Sequence, residues 1–191
     1  MMAIIQAPNK VLSGAAKKYP LGKYVRSDKN LAKLLSDMET ALTLARDPKG
    51  VGLAAPQIGV PYSLFIVKPT EKSKIVVFIN PEILATSDKP GARSKKQEAK
   101  SKQPKRLEGC LSLLNIWGEV KRPETLTLSY YDELGVKHTK KFKGFMATII
   151  AHEVDHLHGI LFPRRVLEQK GQLYKSHKNA KDEDVFDPIE V

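Results

Sequence analysis

Cysteine is almost absent from this chain, since Cys110 is the only one among its 191 residues. A single thiol cannot form an intramolecular disulfide, which excludes the small secreted domains that depend on such cross-links. The chain must instead rely on a hydrophobic core, for which 191 residues are sufficient. We expect one domain spanning residues 1–191 and a reducing compartment.

Long apolar runs are also absent from the sequence. No stretch approaches the roughly 20 residues that cross a bilayer. The first ten residues lack the basic and then apolar layout of a signal peptide. Hydrophobic residues make up 41% of the chain and charged residues 28%, as is usual for globular proteins. These features predict a cytoplasmic protein with no membrane partner.

Acidic residues are scarce in two segments of this chain, whose net charge is +11. Residues 86–107 carry eight Lys or Arg against two Asp or Glu, and residues 164–181 carry six against one. Residues 182–191 reverse the balance, with five acidic residues and no basic one. We predict a mobile basic insertion at 86–106 and a polar C-terminal tail at 168–191.

The basic segments are compatible with transient contact to the ribosome and its RNA. Simple solvation of a loop and a tail explains them equally well. Neither segment has interleaved aromatic residues that could stack on bases, since Tyr174 stands alone.

Hydrophobic periodicity predicts one amphipathic helix in the first part of the chain. Leucines at helical spacing indicate a helix from about Asp28 to Ala45, with Ser27 or Asp28 as the N-cap. Prolines and glycines argue against regular structure in residues 3–26.

Strands are predicted where β-branched and aromatic residues cluster or alternate. The predicted segments are 62–67, 74–79, 125–131 and its hairpin partner 136–142, with a further strand starting near Ile83. We expect Asn80-Pro81 to end the second of these strands.

A second helix is predicted between Gly144 and Gly159, and it carries the sequence His152-Glu153-Val154-Asp155-His156. Residues four apart lie on one face of a helix, so the two imidazoles can bind the same metal ion. Glu153 beside them is placed to accept a proton from metal-bound water. A solvated helix end that happens to carry histidines would show the same pattern.

A catalytic metal needs a third protein ligand while it keeps one position open. The candidates are Cys110, His138, His158, His177 and a downstream carboxylate. His158 is two residues from His156 and points to another side of the helix, while His138 and His177 lie in polar surroundings. A lone cysteine is most often an inert core residue, although as a thiolate it would suit iron or zinc. The residues alone leave this choice open.

Small residues are concentrated in the segment Gly50-Val51-Gly52-Leu53-Ala54-Ala55-Pro56-Gln57. They would let a ligand approach the backbone closely. Gln57 is the only polar side chain there, and it must find partners inside the protein or donate to something that binds. A structural turn is the simpler interpretation of this segment alone.

Three segments together resemble the peptide deformylase family. The family has a glycine–hydrophobic–glycine–hydrophobic–Ala-Ala-x-Gln motif, then Glu-Gly-Cys-hydrophobic-Ser, then a motif that begins with His-Glu and ends with Asp-His. They stand here in the same order as Gly50–Gln57, Glu108–Ser112 and His152–His156. The resemblance covers about residues 4–167, and the basic insertion falls between its first two motifs.

The resemblance implies an α+β fold, in which antiparallel β-sheets pack around a central metal-binding α-helix. It also implies an enzyme, a metal-dependent amide hydrolase that removes the formyl group from the N-terminal formyl-methionine of nascent polypeptides and releases formate. The implied cofactor is one divalent metal ion per chain. Ferrous iron (Fe2+) is the expected ion in cells, with Zn2+, Ni2+ and Co2+ as alternatives.

The family's residue roles transfer to matching positions in this chain. Cys110, His152 and His156 would bind the metal ion, and Glu153 would be the general base. The Gln57 side chain and the Leu111 backbone N–H would stabilise the negatively charged oxygen that develops on the formyl group. The implied substrate-binding residues are Val51, Gly52, Glu108, Gly109, Phe145 and Ile149. Asp155 and Arg122 would form a pair that orients the metal ligands from outside, although either can be a plain surface charge.

The chain departs from the family pattern just after Ser112. Leu113-Leu114 stands where a hydrophobic residue and proline are usual, and Trp117 stands where many bacterial members have an arginine. These differences concern the rim of the peptide-binding site, where Leu114 and Trp117 would either face the substrate or simply pack in the core.

Two other functions compete with deformylation. A zinc endopeptidase also uses His-Glu-x-x-His, but nothing after Gly159 has the spacing of its third ligand. An inactive ribosome-binding relative would use the basic segments, but the complete set of candidate catalytic residues argues against lost chemistry.

Overall fold

The computed structural model describes residues 2–22, 25–45, 49–87 and 106–190. The helices are α1 (Lys10–Ser13), α2 (Lys29–Leu44), α3 (Phe145–Leu157) and α4 (Phe162–Glu168), with 3-10 turns at Val25–Ser27 and Ala55–Ile58. The strands are β1 (Gly52–Ala54), β2 (Leu64–Val67), β3 (Val76–Thr86), β4 (Arg106–Cys110), β5 (Leu113–Val120), β6 (Thr125–Tyr131), β7 (Lys137–Lys143), β8 (Leu173–Lys178) and β9 (Asp184–Ile189). Within these ranges, none of the helices has the length and apolar character needed to span a bilayer.

The basic insertion predicted at 86–106 falls mainly on residues 88–105, which lie outside the described residues. Its mobility therefore stays a prediction.

The first sheet has the strand order β1-β2-β3-β6-β7, and all its neighbours are antiparallel. Strand β2 is buried on both faces, because successive side chains point to opposite sides. Leu64 and Ile66 pack with the apolar stripe of α2, whereas Phe65 and Val67 pack with the apolar side of α3. The sheet is thus covered by one helix on each face, which confirms the expected α+β fold.

Strand β3 is longer than the sequence predicted. The expectation that Asn80-Pro81 ends the strand is wrong, because β3 continues to Thr86 and also contains the further strand expected at Ile83. A shift of the register against β6 between Ile79 and Glu82 accommodates the proline, which has no N–H to donate. Asn80 adopts a positive φ of 50°, and its side chain pairs with the backbone of Tyr19.

The second sheet has the strand order β4-β5-β8-β9, and its last two strands come from the segment predicted as a polar tail. That segment is part of the sheet rather than a free tail. Leu173 and Ile189 anchor the hairpin in a hydrophobic cluster, and its charge pattern adds to this, since the basic strand β8 lies antiparallel to the acidic strand β9. Lys178 pairs with Asp184 at 2.9 Å, and His177 lies 3.2 Å from Asp187. Opposite charges across a hairpin favour this pairing.

Helix α2 matches the prediction closely. Asp28 is its N-cap, and its carboxylate accepts hydrogen bonds from the backbone N–H groups of Asn30 and Leu31. The expectation of no regular structure in residues 3–26 is wrong at two places, the single-turn helix α1 and the start of the 3-10 turn Val25–Ser27. The Asn9 side chain caps α1 by accepting from the Val11 N–H.

Candidate active site and metal centre

Helix α3 presents the His-Glu-x-x-His sequence towards the second sheet. The helix starts after Gly144 and its last turn is closed by Gly159, whose φ of 67° is typical of a glycine just past a helix end. One side of α3 packs on the first sheet through Ile150, Val154 and other apolar residues. Since that side is occupied, His152 and His156 face β4, and their ring centroids lie 5.0 Å apart.

Cys110 is the third member of this group. It is the last residue of β4, it is buried, and its Sγ lies 3.2 Å from His156 Nε2. One potential ligand atom from each of Cys110, His152 and His156 lies within 4.8 Å of the others. A thiol and two imidazoles at this spacing suit a transition metal or zinc and leave a fourth position open. These three residues can therefore hold one metal ion.

The other candidate ligands lie elsewhere in the structure. His138 Nε2 contacts Asp132 at 2.7 Å, His158 Nδ1 contacts the Val154 carbonyl at 2.8 Å, and His177 pairs with Asp187. None of these histidines joins the metal-binding group within the described part of the chain.

Two buried polar atoms of this site have no hydrogen-bond partner among the described residues, namely Glu153 Oε2 and His156 Nδ1. Buried polar atoms are nearly always paired with protein or with ordered water. An unpartnered carboxylate oxygen beside a metal-binding group is thus available to a water molecule. The residues present therefore fit a metal ion that binds a water molecule next to Glu153.

The Glu153 carboxyl group has an unusual environment. Burial raises its pKa to about 7, an effect opposed by the nearby His152 and Arg122 charges. A carboxyl with a pKa near neutrality can both accept and return a proton under physiological conditions. Gly52 lies against it, since a Cβ at position 52 would come within 2.4 Å of Glu153 Oε1. Only glycine leaves room for the carboxylate there.

Glu108 has a contact that the sequence did not predict. Its Oε2 accepts a hydrogen bond from His152 Nδ1 at 3.0 Å, and both its oxygens accept from Arg122 at 2.9 Å. Burial favours the neutral carboxyl, but the hydrogen bonds from His152 and Arg122 outweigh it and lower the pKa of Glu108 to about 2. Glu108 is therefore ionised, and it fixes the ring of His152 with Nε2 free for a metal.

Arg122 connects this carboxylate to Asp155. Its Nη1 donates to Asp155 Oδ2 at 2.5 Å, so the structure brings the predicted pair together. Asp155 also accepts two hydrogen bonds from Arg165, a partner that sequence reasoning missed because it lies on α4. Burial opposes ionisation of Asp155, but these guanidinium contacts lower its pKa. The Arg122 side chain is buried between the two carboxylates.

The two histidines differ in their protonation. Burial lowers the pKa of His156 well below its usual range, so its imidazole is neutral. Burial acts in the same direction on His152, but its hydrogen bonds to Cys110 and Glu108 raise its pKa well above the usual value.

Gln57 lies at the centre of the site and is buried. Its Oε1 accepts a hydrogen bond from the Ala54 N–H at 2.8 Å. This directs the amide nitrogen Nε2 towards Ser112 Oγ at 3.2 Å and Cys110 Sγ at 3.6 Å. The amide N–H group is thus a donor beside the metal-binding group. Leu111, the next residue after the cysteine, is buried and its carbonyl accepts from Gln6.

A cavity of about 300 Å³ opens next to these groups. Its wall includes all the substrate-binding residues expected from the resemblance: Val51, Gly52, Glu108, Gly109, Phe145 and Ile149. It also includes Leu107, Thr148 and Trp117. Thr148 could have been found from the sequence, since it lies four residues before His152 on the same helical face.

Several known proteins with similar sequences are peptide deformylases. A sequence profile described as polypeptide deformylase matches residues 1–172. Peptide deformylase 1 of Bacillus cereus is 35% identical over 166 residues, which cover 87% of this chain and 92% of the relative. A peptide deformylase of Prochlorococcus marinus is 36% identical over 181 residues, covering 92% of this chain and 81% of the relative.

Solved structures give the same result. The peptide deformylase of Thermotoga maritima superposes with a TM-score of 0.71 at 30% identity, covering 87% of this chain and 97% of the other. A Met-Ala-Ser-bound class I type b peptide deformylase of Acinetobacter baumannii has a TM-score of 0.70 at 30% identity, covering 85% and 96%. The resemblance inferred from the three motifs is confirmed. The chain belongs to the polypeptide deformylase family, the hydrolases that remove the formyl group from the N-terminus of nascent polypeptides.

Proposed function

We propose that this enzyme hydrolyses the formyl-methionine amide with Glu153 as the general base and with a divalent ion bound by Cys110, His152 and His156. The observation that carries the proposal is the unpartnered, buried Glu153 carboxylate beside this ligand group. Ferrous iron is the expected ion, and zinc, nickel and cobalt suit the same donor set. When bound, the ion would act as a Lewis acid and lower the pKa of a water molecule.

Glu153 performs the proton transfers in this mechanism. Its carboxylate accepts a proton from the attacking water and later gives it to the amine that leaves. Burial raises the pKa of this carboxyl, which favours its holding the proton between the two steps. Water oxygen adds to the formyl carbon, the C–N bond then breaks, and formate and a free methionine amine result.

Gln57 stabilises the negative charge that develops on the formyl oxygen. Its Nε2 is held as a donor because its Oε1 is already bonded to the Ala54 N–H. A donor that is oriented in advance needs no rearrangement when the charge forms. The Leu111 backbone N–H is the proposed second donor.

The substrate peptide binds as an extended strand between β1 and β4. Among the described residues, β1 and β4 are edge strands of their sheets, and both border the cavity. Peptides readily add to such unpaired edges. Backbone groups of Gly52 and Gly109 pair with the peptide, while Val51, Phe145 and Ile149 surround the methionine side chain.

Formate release from a formyl-Met-Ala-Ser peptide by enzyme loaded anaerobically with Fe2+ tests this function. We expect turnover by the wild-type enzyme and loss of both metal and turnover in Cys110→Ser. A zinc endopeptidase would instead cleave internal peptide bonds and keep its metal without the cysteine. Full metal content and full turnover in Cys110→Ser would contradict the proposed ligand set.

We further propose that the enzyme acts where translation occurs, in the cytoplasm or its equivalent, and that its basic segments contact the ribosome transiently. The net charge of +11 supports this, since polyanions attract basic surfaces. Filter binding to ribosomes tests it with a variant lacking residues 88–105. Affinity that is unchanged by the deletion would exclude the insertion as a contact.

A further inference from the structure

We propose that Trp117 is a specificity-determining residue that favours substrates with a large apolar or aromatic side chain directly after the formyl-methionine. The inference rests on the proposed function, because it takes the substrate to lie as a strand between β1 and β4. Trp117 is the only tryptophan of the chain and is part of the cavity wall.

The indole of Trp117 lies across Gly109. The two residues are direct partners in the β4–β5 ladder. A Cβ built on Gly109 would come within 3.0–3.1 Å of three carbons in the six-membered ring of the indole. A side chain at position 109 would crowd the ring and push it outwards, so glycine allows the indole to lie close over the backbone of β4 beside the proposed substrate strand.

The indole lies on the face of β4 opposite to the metal-binding group. Side chains alternate along a strand. Glu108 and Cys110 both contact histidines of α3, so the residue between them faces the other way, towards Trp117. In the substrate strand, a methionine side chain directed at α3 places the next side chain on the opposite face. The second substrate residue is therefore the one that meets the indole.

The β8–β9 hairpin fixes the orientation of the indole. Trp117 Nε1–H donates to Ser176 Oγ on β8 at 3.1 Å. Phe186 on β9 packs edge-to-face against the ring, with centroids 5.7 Å apart and planes at 90°. The hairpin begins at Leu173, after the end of the family match at residue 172. Ser176 and Phe186 are thus positioning residues contributed by a segment outside the matched part of the chain.

A fixed indole offers a flat apolar surface at low cost in side-chain entropy. A phenylalanine or leucine side chain against it loses contact with water and gains van der Waals contact, whereas an aspartate would lose part of its hydration against an apolar ring. Aromatic contacts of this kind correspond to about a three- to tenfold preference.

Formate release from formyl-Met-X-Ser peptides tests the inference, with X as Phe, Ala or Asp and with the metal-loaded enzyme. We expect kcat/KM to fall in the order Phe, Ala, Asp, with Phe over Ala by about three- to tenfold and mostly through KM. The Phe-to-Ala ratio should approach one in Trp117→Ala and largely recover in Trp117→Phe. A wild-type ratio near one, or an unchanged ratio in Trp117→Ala, would overturn the inference.

The hairpin variants separate positioning from general destabilisation. Phe186→Ala should lower the Phe-to-Ala ratio, because the indole loses its edge-to-face support. Val185→Ala is the matched control, since the neighbouring residue of β9 points to the other face and should leave the ratio unchanged. Equal ratios in the two variants would refute the positioning role of the hairpin.

Tryptophan emission provides a readout that does not require turnover. Because Trp117 is the only tryptophan, its emission reports on its own surroundings. Titration with the product peptide Met-Phe-Ser should change the emission more strongly than titration with Met-Ala-Ser. A saturating change without formate release would show that the peptide contacts the indole but would contradict the proposed function, whereas release from all peptides without any emission change would overturn only the inference.

Discussion

Glu153 is the residue on which the proposed chemistry depends most directly. It is buried, it stands beside the metal-binding group, and its Oε2 has no partner among the described residues. The adjacent Gly52 excludes any side chain from the same space. The carboxylate therefore has room beside Gly52 and an oxygen without a protein partner, as a base that acts on a water molecule would need.

Glu153→Gln should reduce kcat while metal binding persists. The amide has nearly the same shape but cannot accept a proton, so we expect a loss of about a hundredfold to ten-thousandfold in kcat. Formate release under saturating substrate measures the loss, and metal analysis of the same sample serves as the control. Activity within tenfold of the wild type would exclude Glu153 as the base.

Glu108→Gln should weaken metal binding. Glu108 accepts the Nδ1–H of His152 and so fixes the imidazole with Nε2 available to the metal. Loss of such an outer hydrogen bond typically lowers metal affinity about 10- to 100-fold. Competition with a chelator measures the dissociation constant, and Glu39→Gln on the exposed side of α2 is the matched control. An unchanged constant would show that Glu108 does not orient the ligand.

The first and last residues of each helix and strand are set by local contacts, and the sequence shows only some of these contacts. Helix α2 starts at a clear N-cap signal, and Asp28 forms the expected capping bonds as well as accepting from the Tyr19 hydroxyl at 2.7 Å. No comparable local signal in the sequence predicted strand β5. Its residues are recognised as a strand only from their pairing with β4 on one side and β8 on the other.

Asp28→Ala should destabilise the protein by about 1 kcal/mol at neutral pH through loss of the cap. The hydrogen bonds from Tyr19 and from the Leu31 and Asn30 N–H groups lower the pKa of Asp28 in the folded protein, against a smaller opposing effect of burial. A lowered folded-state pKa means that the carboxylate stabilises the fold above its unfolded pKa of about 3.9 and that this contribution disappears as pH falls through the folded pKa.

Urea unfolding of wild type and Asp28→Ala at several pH values measures this dependence. The difference in the free energy of unfolding should be largest above about pH 5 and should shrink towards pH 2. Asp28→Asn, which can still cap, should lie between the two proteins at neutral pH. A difference that grows on acidification would contradict the assigned contribution.

At the scale of the whole molecule, Arg122 joins the parts that form the site. It follows β5, donates to Glu108 on β4 and donates to Asp155 on α3. Asp155 in turn binds Arg165 on α4. The buried chain of charges therefore fixes α3 relative to the second sheet, and with it the distance between the histidines and Cys110.

Arg122→Met should destabilise the fold by about 3–5 kcal/mol, because two buried carboxylates lose their partner. Arg164→Met is the matched control, since the exposed Arg164–Glu168 pair should contribute less than about 1 kcal/mol. Chemical denaturation compares the two variants.

Asp155→Asn should also reduce metal content and activity, and equal values in variant and wild type would contradict an orienting role for the pair.

The polar hairpin β8–β9 shows why parts of the whole molecule were not predictable. Charged and apolar residues are mixed along both strands and most are at least partly exposed, so their hydrophobic periodicity is weak. Their charges become complementary only when the two strands lie side by side. In β3, the proline wrongly predicted the end of a strand. The sheet accommodates it by a shift of the register against β6, and no local sequence pattern shows such a shift.

The sequence by itself determined the metal-binding face of α3 and the start of α2, because helical periodicity and capping are interactions between residues a few positions apart. It also determined the family, through three motifs that keep their order. Through the family resemblance, the motifs also predicted Cys110 as the third ligand, and the structure brings it to the two histidines. Only the tertiary structure decided that Glu108 bonds to His152 and that the C-terminal hairpin holds Trp117. These contacts join residues 44 to 59 positions apart. They exist because the packing of α3 between two sheets brings distant segments together, and this packing depends on the whole core rather than on any local pattern.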